Sequence, residues 1–202
     1  MRLDSSGTVI WNYYYGTAGD EYFAGGDVTP NEELLLMTNS NSEDAIGVIR
    51  IDGNGDTVWT KLYSEGVGAQ VIGFSIYATS DGGFAILGAN DSVSGEANAK
   101  IIRCDSNGNV LWSHVYPTYG DPVQFTQCSN GDFVFASKDG MQSLMCRITA
   151  NGDSIWKFVY VPAFFEQISD IVALGNDVIV TGSYADVMQF QTKCFVRRVS
   201  ST

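Results

Sequence analysis

The sequence predicts an all-β chain of four-stranded antiparallel sheets, about four of them, and three observations predict it. A short unit recurs as RLDSSGTVIWNYYY from Arg2, RIDGNGDTVWTKLY from Arg50, RCDSNGNVLWSHVY from Arg103 and RITANGDSIWKFVY from Arg147, with an unfinished copy from Arg198. The Trp-to-Trp intervals are 48, 53 and 44 residues, so whole loops are inserted between similar units, as in a repeat architecture. Between the units lie short runs rich in Val, Ile, Phe and Tyr, bounded by Gly, Asn, Asp or Ser, the composition of strands and hairpin turns. No stretch of helical period has useful length, and Pro30, Pro117, Pro122 and Pro162 fall at or near strand ends.

Taken in order, residues 8–15 supply one closing strand, D. The first full unit reads YFAGGDVTP, LLLMTNSN, IGVIRID and TVWTKLY as strands A to D. Its LLLM run alone would suit a buried helical turn, and its flanks make it a strand. The second unit is FSIYAT, FAILGAN, AKIIRCD and VLWSHVY, with the polar loop DSVSGEAN before strand C. The third is VQFTQCS, FVFASKD, SLMCRIT and SIWKFVY, and the last supplies ISDIVAL, DVIVTGSYAD and CFVRRVS without a D. Pairing residues 8–15 with residues 195–199 would close a four-bladed β-propeller and remove both open sheet edges, which otherwise template aggregation. The expected organisation is one propeller domain over 1–202. Half of an eight-bladed dimer and a fragment of a longer array satisfy the same count.

Composition narrows the partners. The net charge is −12 with only 17% charged residues, and an acidic surface repels phosphate backbones and anionic membranes, so neither nucleic acid nor membrane insertion is expected. No apolar run reaches the length of a bilayer span, and the N-terminus carries no signal-peptide pattern, as would also hold for a secreted chain after processing. Cys104, Cys128, Cys146 and Cys194 have no C-x-x-C spacing. They read as free, buried small hydrophobes, with no disulfide pairing favoured and no zinc site.

Trp11 with Tyr15, Trp59 with Tyr63, Trp112 with Tyr116 and Trp156 with Tyr160 are four apart in strand D and share a face. A once-per-blade indole reads as a dock between sheets, its N–H bonding a nearby carbonyl; an aromatic sugar platform would require exposed rings. Arg2, Arg50, Arg103, Arg147 and Arg198 lie in strand C, nine residues before each complete unit's Trp. That spacing predicts contact with the next blade, through an aromatic face or a strand-end carbonyl, and not a direct cross-strand Arg–Trp pair. Alternating Asp52, Asn54, Asp56 and Asp105, Asn107, Asn109 imitate the opening of a calcium loop, yet no closing acid follows and Asn-Gly is what a tight hairpin demands.

No catalytic signature stands out. His114 is the sole histidine, the serines lack a G-x-S-x-G context, and the adjacent acids Glu32 with Glu33 and Glu43 with Asp44 face apart or sit in loops. A pair of acids assembled across blades is invisible to sequence spacing.

The unit D-x-x-G-x-x-x-W, as DSSGTVIW, DGNGDTVW and DSNGNVLW, together with Asp81-Gly82-Gly83-Phe84, resembles quinoprotein-like, delta-60-type bacterial β-propeller repeats with Trp-docking hairpins. The resemblance covers nearly the whole chain and implies architecture. Quinoprotein dehydrogenases close eight blades around a quinone and calcium and have one more residue between Asp and Trp. This chain has Thr149 where the last Asp would stand, and no cofactor or catalytic residue carries over. The expected role is a non-catalytic extracellular or cell-surface module that binds a protein or glycan, or builds a homo-oligomer or filament. The alternative is a carbohydrate-active enzyme or degenerate quinoprotein relative using a central pocket. Binding is expected in the loops that vary: 91–98, 116–122 with Tyr119 and Asp121, and 162–165 with Phe164 and Phe165.

Overall fold

A computed structural model describes residues 1–16, 20–40, 44–65, 71–91, 97–118, 120–139, 142–160, 165–186 and 191–201. Every regular element among them is a β-strand. A hairpin of β1 (Arg2–Leu3) and β2 (Val9–Trp11) comes first. Three four-stranded blades follow: β3 (Glu21–Val28), β4 (Leu34–Ser40), β5 (Ala45–Ile51) and β6 (Thr57–Ser64); β7 (Val71–Ala78), β8 (Phe84–Asp91), β9 (Ala97–Cys104) and β10 (Val110–Tyr116); β11 (Asp121–Gln127), β12 (Phe133–Asp139), β13 (Gln142–Ile148) and β14 (Ser154–Tyr160). The last sheet has three strands, β15 (Phe165–Leu174), β16 (Asp177–Asp186) and β17 (Gln191–Val199). Each blade is an antiparallel meander in chain order, and strands A, the first of each blade, lie side by side, β3 on β7, β7 on β11 and β11 on β15.

Local chemistry fixes these meanders. In the three four-stranded blades the A–B turn closes with a backbone pair, from Thr29 to Glu33, Thr79 to Gly83 and Cys128 to Asp132. Each strand A also carries one bulge, between Phe23 and Gly25, Gly73 and Ser75, Pro122 and Gln124, and Ile168 and Asp170. A bulge re-aims the side chain that follows it, so the four blades offer Gly25, Ser75, Gln124 and Asp170 at one equivalent position.

Three apolar layers between successive blades hold the array. Leu35, Met37, Val48, Phe84 and Ile102 fill the first, Leu87, Ile101, Phe125, Phe133 and Phe135 the second, and Val134, Met145, Ile168 and Val178 the third. Phe84 and Phe133 are fully buried, each worth roughly 1.5–3 kcal/mol of transfer free energy. The preceding blade's indole covers each of them: Trp59 stacks on Phe84 at 5.8 Å and Trp112 meets Phe133 edge-on at 6.4 Å.

Three expectations are corrected. Among the described residues the expected ring seam is not present: β17 pairs with β16 and β1–β2 is a separate sheet. The reason is that the chain carries strand C at both ends. Arg2 and Leu3 already occupy the edge of β2, pairing with Trp11 and Val9. Second, Arg and Trp are direct cross-strand partners in Arg2↔Trp11, Arg50↔Trp59, Arg103↔Trp112 and Arg147↔Trp156. The register shift near each C–D turn absorbs one residue of strand D and brings positions nine apart opposite each other. Third, Cys104, Cys128 and Cys146 are buried and free, but Cys194 is exposed on β17. Burial pushes the Cys104 thiol up to about 11, so it stays protonated and inert.

Candidate functional site

The recurring residues come together at the C–D turns. Each turn starts with a side chain that caps the loop from within. Asp52 Oδ1 accepts the N–H groups of Asn54 and Asp56 at 2.8 and 2.9 Å, and Asp105 Oδ1 those of Asn107 and Asn109, both at 2.8 Å. The bond from Asp56 N–H, with those from Asn54, holds Asp52 below its ordinary 3.8. The Asp52 and Asp105 oxygens, first in each imitated calcium loop, are therefore spent on the turn. Thr149 Oγ1 does the same work for Asn151 and Asp153, at 3.3 and 3.1 Å.

The preceding strand D lies across each turn. Trp11, Trp59 and Trp112 donate their indole N–H to the carbonyls of Gly53, Ser106 and Ala150, at 3.1, 3.3 and 3.0 Å. Tyr15, Tyr63 and Tyr116 donate to the carbonyls of Gly55, Gly108 and Gly152, two residues further on, at 2.8, 2.9 and 2.7 Å. Those three glycines have φ of +91°, +76° and +91°, the left-handed region that disfavours side chains. A Cβ on them would also strike the residue between Trp and Tyr: Tyr13 at 2.7 Å, Lys61 at 2.9 Å and His114 at 2.4 Å. His114 thus lies over a turn, stacked on Trp112 at 5.3 Å. Burial pushes the Tyr63 and Tyr116 hydroxyls well up, keeping them as donors.

Arg50, Arg103 and Arg147 tie each four-stranded blade to itself, and Arg2, Arg50 and Arg147 also reach the blade that follows. Arg50, Arg103 and Arg147 are 4–5% exposed and pair with Glu33, Asp81 and Asp132 from their own A–B turns. Burial alone would raise Asp81, but bonds from Thr79 and Gly83, with Arg103 beside it, outweigh that and hold it low. Arg2, Arg50 and Arg147 also donate across to Gly53, Ser106 and Asn176 carbonyls, at 2.8, 2.6 and 2.9 Å. Arg198 keeps the pairing with Asp177, at 2.8 and 2.6 Å, yet its side chain is 64% exposed.

The candidate loops are less informative. Asp121 is exposed at the start of β11, opposite Lys138. Tyr119, Phe164 and most of 91–98 lie outside the described residues. Phe165 opens β15 opposite Ala185, and its side chain, like that of Tyr160, is outside them too.

The site that spacing did not reveal is a cleft of about 470 Å³ walled by the four A strands. Its polar groups are Asp27, Ser75, Gln124, Thr126 and Asp170, among small and apolar neighbours such as Gly25, Ile76 and Val172. Three of them stand at the equivalent position after the bulge, and Ser75 donates to Gln124 Oε1. Gln124 Oε1 also accepts Phe125 N–H at 3.0 Å, and Asp170 Oδ1 accepts Ile171 N–H at 2.8 Å. One step on, Asp27 accepts Val28 N–H and the next blade's Ala78 N–H, both at 2.8 Å, while Thr126 accepts Ala173 N–H at 3.3 Å. The wall is polar, but nearly every acceptor on it is bonded to backbone. A polar residue just after an apolar or aromatic one, Ser75 in FSIYA and Gln124 in VQFTQ, was the available signal, and Asp170 in ISDIV follows a serine instead. It needs the bulge to become meaningful.

No protein-family model matches the chain, and no curated protein matches it. Solved structures do. A protein of unknown function from Bacteroides caccae aligns over 97% of this chain and 66% of its own, at 14% identity and a TM-score of 0.60. An exo-β-1,3-galactanase from Phanerochaete chrysosporium aligns over 87% and 45%, at 16% identity and 0.54. A streptogramin B lyase aligns over 86% and 54%, at 14% identity and 0.51. The chain therefore spans about half to two thirds of these neighbours' own lengths. At such identities the likeness is one of fold: the chain is an all-β array of four-stranded antiparallel blades like those of β-propeller proteins.

Proposed function

We propose that the chain is a non-catalytic β-propeller module of delta-60-type repeats, extracellular or at a cell surface, that recognises a protein or glycan. The observation that carries this reading is the bonding of the cleft wall. Both Asp27 oxygens, Gln124 Oε1 and one Asp170 oxygen accept backbone N–H groups. Carboxylates so engaged hold strands in place and are poor general bases, which need a free lone pair aimed at the substrate proton. The remaining donors and acceptors, with Tyr77 and Phe74 beside them, suit a hydroxyl-rich ligand held by hydrogen bonds and ring faces.

A second reading is a carbohydrate-active enzyme, favoured by one fact: Asp27 and Asp170 both face the same cleft. The neighbour named as a galactanase adds only fold likeness. Both readings are tested together by screening oligosaccharides for binding by calorimetry and for cleavage by chromatography, using the unsubstituted chain and Asp170→Asn. The module reading expects binding without product, retained in Asp170→Asn. Cleavage that Asp170→Asn abolishes would overturn it.

A further inference from the structure

Ser75, Gln124 and Asp170 follow the bulges of three successive blades and line one cleft, but they differ in what they can still bond. The Gln124 amide is fixed in one sense. A backbone N–H only donates, so the atom that accepts Phe125 N–H at 3.0 Å is the oxygen, and Ser75 on the preceding blade donates its hydroxyl to that same Oε1. Ser75 is buried and Gln124 half-buried. The Gln124 Nε2 amide keeps two protons that bond no partner among the described residues. On the next blade Asp170 Oδ1 accepts Ile171 N–H, and Oδ2 bonds nothing among the described residues. One blade therefore offers a donor and its neighbour an acceptor. Phe74, the bulged residue before Ser75, and Tyr77, edge-on to Phe125 at 6.0 Å, add ring surface to the same wall. Among the described residues that line the cleft, Asp27 and Asp170 are carboxylates and none is Lys, Arg or His.

We propose that the cleft takes a neutral glycan, that Gln124 is the specificity-determining residue, and that Ser75 positions it. This deepens the reading of the chain as a recognition module and rests on it. A sugar hydroxyl accepts as well as donates. One hydroxyl takes the Gln124 Nε2 proton, another donates to Asp170 Oδ2, and the apolar face of the ring lies against Phe74 or Tyr77. The volume of about 470 Å³ falls within the roughly 300–1,000 Å³ of small-ligand sites. A protein partner would call for a contact of about 800 Å² a side, more than this cleft supplies. Two carboxylates facing no cation turn away uronates and sulfated sugars, because like charges repel most strongly where water is partly excluded. The single Ser75 proton is spent on Gln124 Oε1, so Ser75 acts through the amide.

The test is a calorimetric titration with neutral tetrasaccharides of glucose, mannose, galactose and xylose, each hexose member also in the form oxidised to the uronate at C6. A neutral member that binds, with its uronate form at least about tenfold weaker, is the expected result. Gln124→Glu keeps both contacts to Oε1 and turns the donor into an acceptor. It should weaken binding about tenfold, as a loss of roughly 1.4 kcal/mol would, with the melting transition as the check on folding. Gln124→Met should weaken it in the same direction without added charge. Ser75→Ala should cost about threefold alone and nothing further in the Gln124→Met background, because two residues acting through one contact are not additive. Asp170→Asn keeps binding, since the hydroxyl there turns from donor to acceptor. A uronate bound as tightly as its neutral form, full binding by Gln124→Met, additive losses, or no neutral member bound would each overturn the proposal. In that last case the module reading stands with a protein partner. Product released from a tetrasaccharide would instead sink the module reading and leave the Gln124 effect to be read in KM.

Discussion

The turn at 149–153 and the turn at 4–8 have nearly the same backbone and opposite surroundings. In the first, Trp112, His114 and Tyr116 lie over Gly152, which is buried. In the second, Gly7 is exposed. The difference separates what a turn does for its own hairpin from what it does for the neighbouring blade. Capping by Asp or Thr and a left-handed glycine make the hairpin. The carbonyls that the hairpin then presents, two residues apart, make the dock for the indole and phenol.

Substituting the two glycines is the sharpest way to measure this difference. Gly152→Ala places a methyl 2.4 Å from His114 Cδ2 in a φ of +91°, adding overlap in a packed layer to left-handed strain. Equilibrium denaturation should show a loss of about 3 kcal/mol or more. Gly7→Ala meets only the backbone term and should lose about 1 kcal/mol. Equal losses would mean that the covering column contributes nothing.

The arginines offer a second comparison. Arg147 is 5% and its partner Asp132 14% exposed at the side chain, and Arg147 also donates to Asn176 in the next blade. Arg147→Met removes a buried guanidinium together with its bonds to Asp132 and Asn176 and should cost about 3 kcal/mol. Arg198→Met breaks a pair whose cation is 64% exposed and should change stability by less than about 1 kcal/mol. If the two costs agree, the column owes its worth to the hairpin and not to the interface. Trp112→Ala, which removes both the Ala150 bond and the cover over Phe133, should cost about 3 kcal/mol. Trp11→Ala, on a less buried hairpin, should cost less in the same denaturation assay.

Much of this was legible because repetition makes errors visible. Four copies of the Arg-to-Trp unit mark strands C and D, the turns and the same-face Trp and Tyr. LLLM could be placed as a strand because its flanks repeat those of FAIL and FVFA. What failed depended on single-residue offsets. The bulged residues Ile10, Val58, Leu111 and Ile155 make Arg and Trp cross-strand partners, and no composition rule marks an exposed apolar residue as bulged. The seam failed on a similar detail: Arg2 and Leu3 pair with β2 themselves. The central cleft stayed hidden because its members come from four strands and share no local spacing, and only the bulges align Ser75, Gln124 and Asp170.

The smallest effect lies in the capping residue itself. Thr149 bonds its turn at 3.3 and 3.1 Å, where Asp105 manages 2.8 Å twice, and an ionised acceptor makes the stronger bond. Thr149→Asp should therefore raise the melting temperature slightly at neutral pH. Its pH dependence has a definite sign. Asp105 is held below the ordinary 3.8, first by the Asn109 side chain and then by backbone N–H groups, and an aspartate at 149 in the same geometry takes the same direction. A carboxyl whose folded value is depressed contributes in full above its unfolded value and loses that contribution as pH falls through the folded one. The gain from Thr149→Asp should thus be constant from neutral pH down to about 4 and vanish below it. The native chain should lose stability over the same acid range, as Asp4, Asp52, Asp105 and Asp177, all shifted the same way, take up protons. A gain that survived at pH 2 would assign the improvement to turn geometry alone and remove charge from the account of why these hairpins begin with aspartate.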